Sequence, residues 1–182
     1  MGDLPIPGFL DMRKNVKIIV CAIAVLLCAC TSAPPSLIVF ATESGATQYF
    51  FPMMEWKGDK KDIGAVCDIT YRYEPGSNAV CNFSFTYTAK NAAEAPPLPS
   101  ALSFTGDGVK YSLSGIDALF SDPAKKQIRV TSLLEGDNLP VILRSQSIEL
   151  NVVFDGTEYR YYPSKRFLAY RGEFLLAIRG GV

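Results

Sequence analysis

With 182 residues, of which 48% are apolar and 12% aromatic, the chain has the composition of a globular protein with one core and an extension, not of a disordered one. Eighteen basic side chains balance eighteen acidic ones, so there is no electrostatic case for nucleic acid. Histidine is absent, which removes Ser-His-Asp and Cys-His catalysis, His-containing zinc sites and the usual general base near neutral pH. Gly-rich phosphate loops of the GxGxxG or GxxxxGK[ST] kind are absent as well. The reading expects no catalytic residue, no metal and no cofactor.

Residues 1–11, MGDLPIPGFLD, hold two acids and two prolines, unlike the start of a targeting segment, and place the expected true start at Met12. Arg13, Lys14 and Lys17 then form a basic cluster before an uncharged apolar run of 12 residues, 18–29. A membrane-spanning helix needs about 20, so the run has the length of a signal-peptide core. It ends in Leu27-Cys28-Ala29-Cys30, followed by the polar Thr31-Ser32-Ala33-Pro34-Pro35.

That order of basic cluster, apolar run, Leu27-Cys28-Ala29-Cys30 and polar tether resembles the targeting segment of bacterial lipoproteins, whose lipobox ends in the cysteine that is acylated. The resemblance covers only the first 35 or so residues and implies removal of 1–29, lipidation of Cys30 and a tether at 30–36. Cys21 and Cys28 would leave with the signal peptide. Thr31 stands where an aspartate would resemble an inner-membrane retention signal, so the implied location is the bacterial cell envelope, at the outer membrane. Two or more acyl chains anchor a protein stably, at about 0.8 kcal/mol per buried methylene. The expected partner is thus the membrane, together with an envelope protein or glycan. Without residues 1–29, which hold Arg13, Lys14, Lys17, Asp3 and Asp11, the chain carries 15 basic and 16 acidic groups.

From residue 37 to 182 the sequence reads as one β domain. Short apolar segments at 36–41 and 47–51 precede a charged loop, EWKGDKKD, at 55–62. Strands are predicted at 65–73, 79–88, 101–104, 109–113, 127–134, 141–145, 148–154 and 157–162, with a Pro/Ala-rich linker at 91–99. Regular short strands separated by turn signals predict a mainly β fold, an antiparallel β-sandwich of the immunoglobulin-like or a related kind. Phe167, Tyr170, Phe174 and Ile178 share one helical face after Ser164 as N-cap, with Gly180 to close it, which predicts a C-terminal helix.

Asp155-Gly156 predicts a two-residue hairpin that sets Phe154 against Thr157, Val152 against Tyr159 and Leu150 against Tyr161. Asn151, Arg160, Glu149 and Tyr162 then share the outward face, and Asn151→Asp is expected to be nearly neutral. At SFTGDGVKY a four-residue loop, 105–108, is expected to set Phe104 against Val109 and Leu102 against Tyr111.

Cys67 and Cys81 remain in the exported domain, where an oxidising compartment favours a disulfide. A simple hairpin loop at 74–78 puts Cys67 opposite Phe85 and Cys81 opposite Tyr71, an offset of ~13 Å against a limit of ~7 Å; the bridge and two buried thiols both stay open. Among other candidates, Trp56 can contact a ligand or pack on the core edge, and Arg160 and Tyr162 form a mixed aromatic and polar surface. The KGDKKD run reads as a solvated loop with cancelled charges. Asp107, Asp137 and Asp155, each beside a glycine, read as turn residues. The functional expectation is a lipid-anchored, noncatalytic binding or structural module. Capture of a cell-surface glycan or small ligand is the second reading, and a carboxylate hydrolase a third that lacks any paired acid constellation.

Overall fold

The computed structural model describes residues 37–43, 45–90 and 97–178. Among the described residues there are ten strands: β1 (Ile38–Ala41), β2 (Thr47–Gly58), β3 (Ile63–Tyr73), β4 (Val80–Ala89), β5 (Ala101–Gly106), β6 (Val109–Ser112), β7 (Ser114–Asp122), β8 (Gln127–Glu135), β9 (Ile148–Phe154) and β10 (Thr157–Pro163). The same residues hold two helices, α1 (Asn138–Arg144) and α2 (Lys165–Ala177). All pairings are antiparallel, in the order β6-β5-β9-β10-β2-β3-β4-β8-β7. β1 adds to the first half of β2, on the edge that β10 occupies farther along.

The fold is mainly β, as expected, but the strands form one curled sheet, a half-barrel, in place of two packed sheets. Its curl is visible in contacts between strands that are not neighbours. Phe104 of β5 lies 5.0 Å from Phe83 of β4, Phe154 of β9 lies 4.8 Å from Tyr87, and Tyr161 of β10 lies 5.6 Å from Phe85, measured between ring centroids. The two ends of the sheet therefore share one aromatic interior.

Strict alternation fills that interior. On β3 the inward residues are Ile63, Ala65, Cys67, Ile69 and Tyr71, and on β4 they are Cys81, Phe83, Phe85, Tyr87 and Ala89, all buried. β2 is the exception that bends the sheet. Phe51 pairs with Ile69 but Met54 with Cys67, so β2 carries one extra residue there, a β-bulge at Pro52-Met53. The bulge switches parity and lets Tyr49, Phe51, Met54 and Trp56 all point inward. Proline, which cannot donate to a ladder, is tolerated at such a site. The sequence reading ended this strand at Phe51 and began a loop at Glu55; the ladder instead continues to Gly58.

α2 closes the interior over β2. Ser164 caps it, its hydroxyl accepting from the Phe167 N–H at 3.3 Å. Phe167, Tyr170 and Phe174 are buried, and Phe174 meets Tyr49, Phe51 and Tyr71 at 5.1–5.3 Å. The expected helix is present; Gly180 lies outside the described residues. α1 corrects the strand expected at 141–145. Leu139, Ile142 and Leu143 sit at helical spacing and are all buried, and Pro140 is accommodated in the first turn. β7 was missed because nearly every residue in it is exposed and two irregularities break its pairing with β8, so no alternation marks it.

The hairpin at Asp155-Gly156 has the expected register, with φ of 46° and 76° at the two turn residues. The one at Asp107-Gly108 is corrected by two residues. It too is a two-residue turn, with φ of 47° and 84°, so Gly106 opposes Val109 and Phe104 opposes Tyr111. A shift of two preserves which face each side chain takes, and Leu102 and Phe104 remain inside.

Candidate functional site

Of the expected ligand contacts, Arg160 and Tyr162 lie exposed on β10 beside the end of β2, while Trp56 of β2 faces inward. Cys30 lies outside the described residues. Trp56, the candidate ligand contact, is 3% exposed and packs edge-on against Phe167 at 4.8 Å and near Phe104 at 6.0 Å. The bulge in β2 turned its ring into the core, so it presents no stacking platform. Arg160 and Tyr162 are exposed, and Arg160 is engaged by Asp59, Nε to Oδ2 at 3.5 Å. Asn151, expected outside, is 6% exposed and donates from Nδ2 to Thr105 Oγ1 at 2.8 Å.

Cys67 and Cys81 are free and buried. Their hairpin has the simple register, Cys67 opposite Phe85 and Cys81 opposite Tyr71, and the offset keeps the sulfurs from bridging; the disulfide alternative is corrected accordingly. Burial pushes the Cys81 thiol from its ordinary 9.0 up to about 12. Burial, and to a lesser degree the neighbouring Asp68 carboxylate, pushes Cys67 well up. Both stay protonated and unreactive in the fold. Burial also raises Tyr71 to about 12, with smaller contributions from Asp137, Cys81 and neighbouring tyrosines, and raises Tyr87 and Tyr161.

These shifts set a sign for stability at high pH. A raised folded-state pKa means that the unfolded chain loses the proton first, so the native state holds more protons and stability falls as pH rises. The contribution is complete below pH 9 and is lost between about 9 and 12. Urea midpoints should decline through this window, and iodoacetamide at mildly alkaline pH should label neither thiol until the chain is unfolded. Rapid native labelling, or a flat midpoint across the window, would contradict the burial of this pair.

The turn aspartates do structural work. Asp107 accepts from the backbone N–H groups of Ser147 and Gln146 at 2.9 and 3.1 Å, which lowers its pKa. Asp137 stands at the N-terminus of α1, and Asp155 takes positive φ in its turn.

A site that the sequence reading passed over lies where β2 and β4 end and β3 begins. An open cleft of about 420 Å³ is lined by Lys57, Lys60, Lys61, Lys90, Glu55 and Asp59, with Gly58, Gly64 and Ser164 among its other walls. The charges of the KGDKKD run are not cancelled locally. Asp59 turns to Arg160 and to the Lys60 and Arg160 N–H groups, and Asp62 Oδ2 accepts from the Tyr159 hydroxyl at 3.3 Å. Lys60 Nζ donates to the Glu158 carbonyl at 2.9 Å and sits 4.2 Å above the Tyr159 ring. The side-chain ammonium groups of Lys57, Lys61 and Lys90 make no hydrogen bond or ion pair among the described residues. The hairpin register brings Lys90 here, since its N–H donates to the Asp62 carbonyl at 2.7 Å.

Among the described residues no cluster of His, Cys, Asp or Glu is arranged to hold a metal ion, and no helix is long and apolar enough to cross a membrane. Comparison of the chain with protein-family models, with curated proteins and with solved structures finds no match.

Proposed function

We propose that the chain is a lipid-anchored protein of the bacterial cell envelope, placed at the outer membrane, whose β domain is a noncatalytic binding module. The order from Arg13 through the apolar run to Cys30 supports the anchor. A short tether supports a domain held close to the membrane: Leu37, whose N–H donates to Glu173 Oε2 at 2.6 Å, already belongs to the fold. The fold is thus already fixed seven positions after Cys30. At no more than ~3.6 Å per residue, the acyl chains hold the domain within ~25 Å of the bilayer.

The strand that follows supports an envelope protein as partner. Ile38, Val39 and Phe40 of β1 are 47%, 47% and 56% exposed, and among the described residues β1 pairs on one edge only. An open edge with apolar side chains is a template for strand addition. The second reading, capture of a small ligand, is favoured by the lysine-lined cleft.

Cys30→Ser is the test of the anchor. The variant should leave the membrane fraction or accumulate as an unprocessed precursor, whereas Cys21→Ser should behave like the parent. A mature-sized, acylated Cys30→Ser protein in membranes would overturn the assignment.

A further inference from the structure

We propose that the cleft where β2 and β4 end and β3 begins binds an oxyanion, a phosphate or carboxylate, carried on a hydrophilic ligand of sugar size. This deepens the ligand-capture reading, on which it rests, and does not depend on the anchor.

Three lysines line one space: Lys57 from β2, Lys61 from the turn after it and Lys90 from just beyond β4. Like charges repel unless something offsets them, and none of the three ammonium groups has a partner among the described residues. Asp59 is committed to Arg160, which leaves Glu55 as the carboxylate still facing the lysines. Gly64 keeps the floor bare; a Cβ there would come 3.1 Å from Lys90 Cε. Ser164, the N-cap of the 13-residue α2, borders the same space, so the positive end of that helix adds to the field.

A second observation is independent of charge. Among the described residues, the buried side-chain polar atoms without a hydrogen-bond partner are Trp56 Nε1, Asp62 Oδ1 and Tyr161 OH. Of the three, Trp56 is a lining residue of the cleft, and Asp62 and Tyr161 are near it in chain or in register. Asp62 stands in the chain between two other lining residues, Lys61 and Ile63. The Tyr161 ring is 3.1 Å from where a Cβ on Gly58 would stand. Buried polar groups are normally satisfied, so the unmet Trp56 indole N–H beside the cleft is left for a ligand hydroxyl or ligand-borne water to complete. The volume of about 420 Å³ falls within the range of small-ligand sites.

Trp56 is the chain's one tryptophan, so its emission reports on the cleft without a label. The full-length chain in detergent is titrated with a hexose phosphate, with glucuronate and with neutral glucose, by emission and by calorimetry. At least one charged sugar should bind saturably with a Kd of roughly 1 mM or below, and glucose should not. A response to the phosphate alone identifies a phosphorylated ligand, and one to glucuronate alone a carboxylated one. Raising salt from about 0.02 to about 0.2 M should weaken binding several-fold. Lys57→Gln and Lys90→Gln should each weaken it by about 5-fold or more, a loss typical of one charge-assisted hydrogen bond, while Lys110→Gln, exposed on β6, should not change it. Neither emission change nor heat with either charged sugar, equal binding of glucose, or full affinity in the Lys57 and Lys90 variants would overturn the proposal. Membrane partition of the same preparation reads the anchor separately.

Discussion

Replacing Gly136 with alanine is expected to prevent β8 from closing against the turn before β4. The added Cβ would overlap the backbone carbonyl of Ala79. Neither side can give way easily. Val80 pairs with Glu135 and Cys81 with Leu134, so the two backbones are fixed by the ladder immediately beside the clash. Gly136 also accepts, through its carbonyl, the Leu139 N–H that begins α1. Overpacking against movable side chains costs typically 1–3 kcal/mol; against paired backbone the loss should be about 3 kcal/mol or more, a large part of the total stability of a domain. For a chain of this length that is a fall in Tm of about 10 °C. Gly172→Ala is the internal contrast. Gly172 lies in α2 with nothing within 4 Å of its Cβ position, and alanine there should stabilise by up to ~1 kcal/mol. Thermal melts of the two variants should move in opposite directions, and a Gly136→Ala melt within about 2 °C of the parent would refute the clash.

What was legible in the sequence was local. The Asp155-Gly156 turn, the β3–β4 register and the apolar face of α2 each follow from a few neighbouring residues, and each appears as read. What was lost depended on irregularity or on distance. Pro52 and the extra residue beside it interrupt the period-two pattern of β2, so a 12-residue strand looked like a short strand and a loop, and Trp56 was considered for the surface. In α1 a single set of i, i+3, i+4 contacts resembles a short β-branched run. One curled sheet and two packed sheets share the same alternation, because both bury one face of every strand; only the cross-interior ring contacts separate them.

The cleft was hidden for another reason. Lys90 is 29 positions beyond Lys61, and the acids interspersed among Lys57, Lys60 and Lys61 made the local charge look balanced. Yet a signal existed. A hairpin that sets Cys67 against Phe85 and Ile63 against Ala89 also sets Asp62 beside Lys90, so extending that ladder by one step would have joined Lys90 to the KGDKKD turn. The destination of Asp59 and Asp62, toward Arg160 and Tyr159, required β10 to be placed beside β2, a pairing between segments about 100 residues apart.

Val152→Asp should be the most damaging exchange in the β9–β10 hairpin, and its neighbour shows how alternation alone misleads. Val152 is 0% exposed, between Leu102 on β5 and Tyr159 on β10. A carboxylate there would lie in the aromatic interior without a cation, and an uncompensated buried charge costs about 3–5 kcal/mol or prevents folding. Asn151, one residue away, faces the other side of the sheet, where a free surface position would tolerate aspartate. It is not free: Ser103 opposes it on β5, Arg160 on β10, and its amide donates to Thr105. Asn151→Asp removes that donor, but the Thr105 hydroxyl can turn to donate to the new carboxylate, and Arg160 lies across the strand to offset its charge. The expected loss is about 1 kcal/mol, the net worth of one hydrogen bond, in place of the neutrality that alternation suggests. Melts of the two variants should therefore separate clearly, with Asn151→Asp slightly below the parent and Val152→Asp far below it or unfolded. Equal losses would place both side chains in the same environment, which the pairing of Val152 with Tyr159 and of Asn151 with Arg160 forbids.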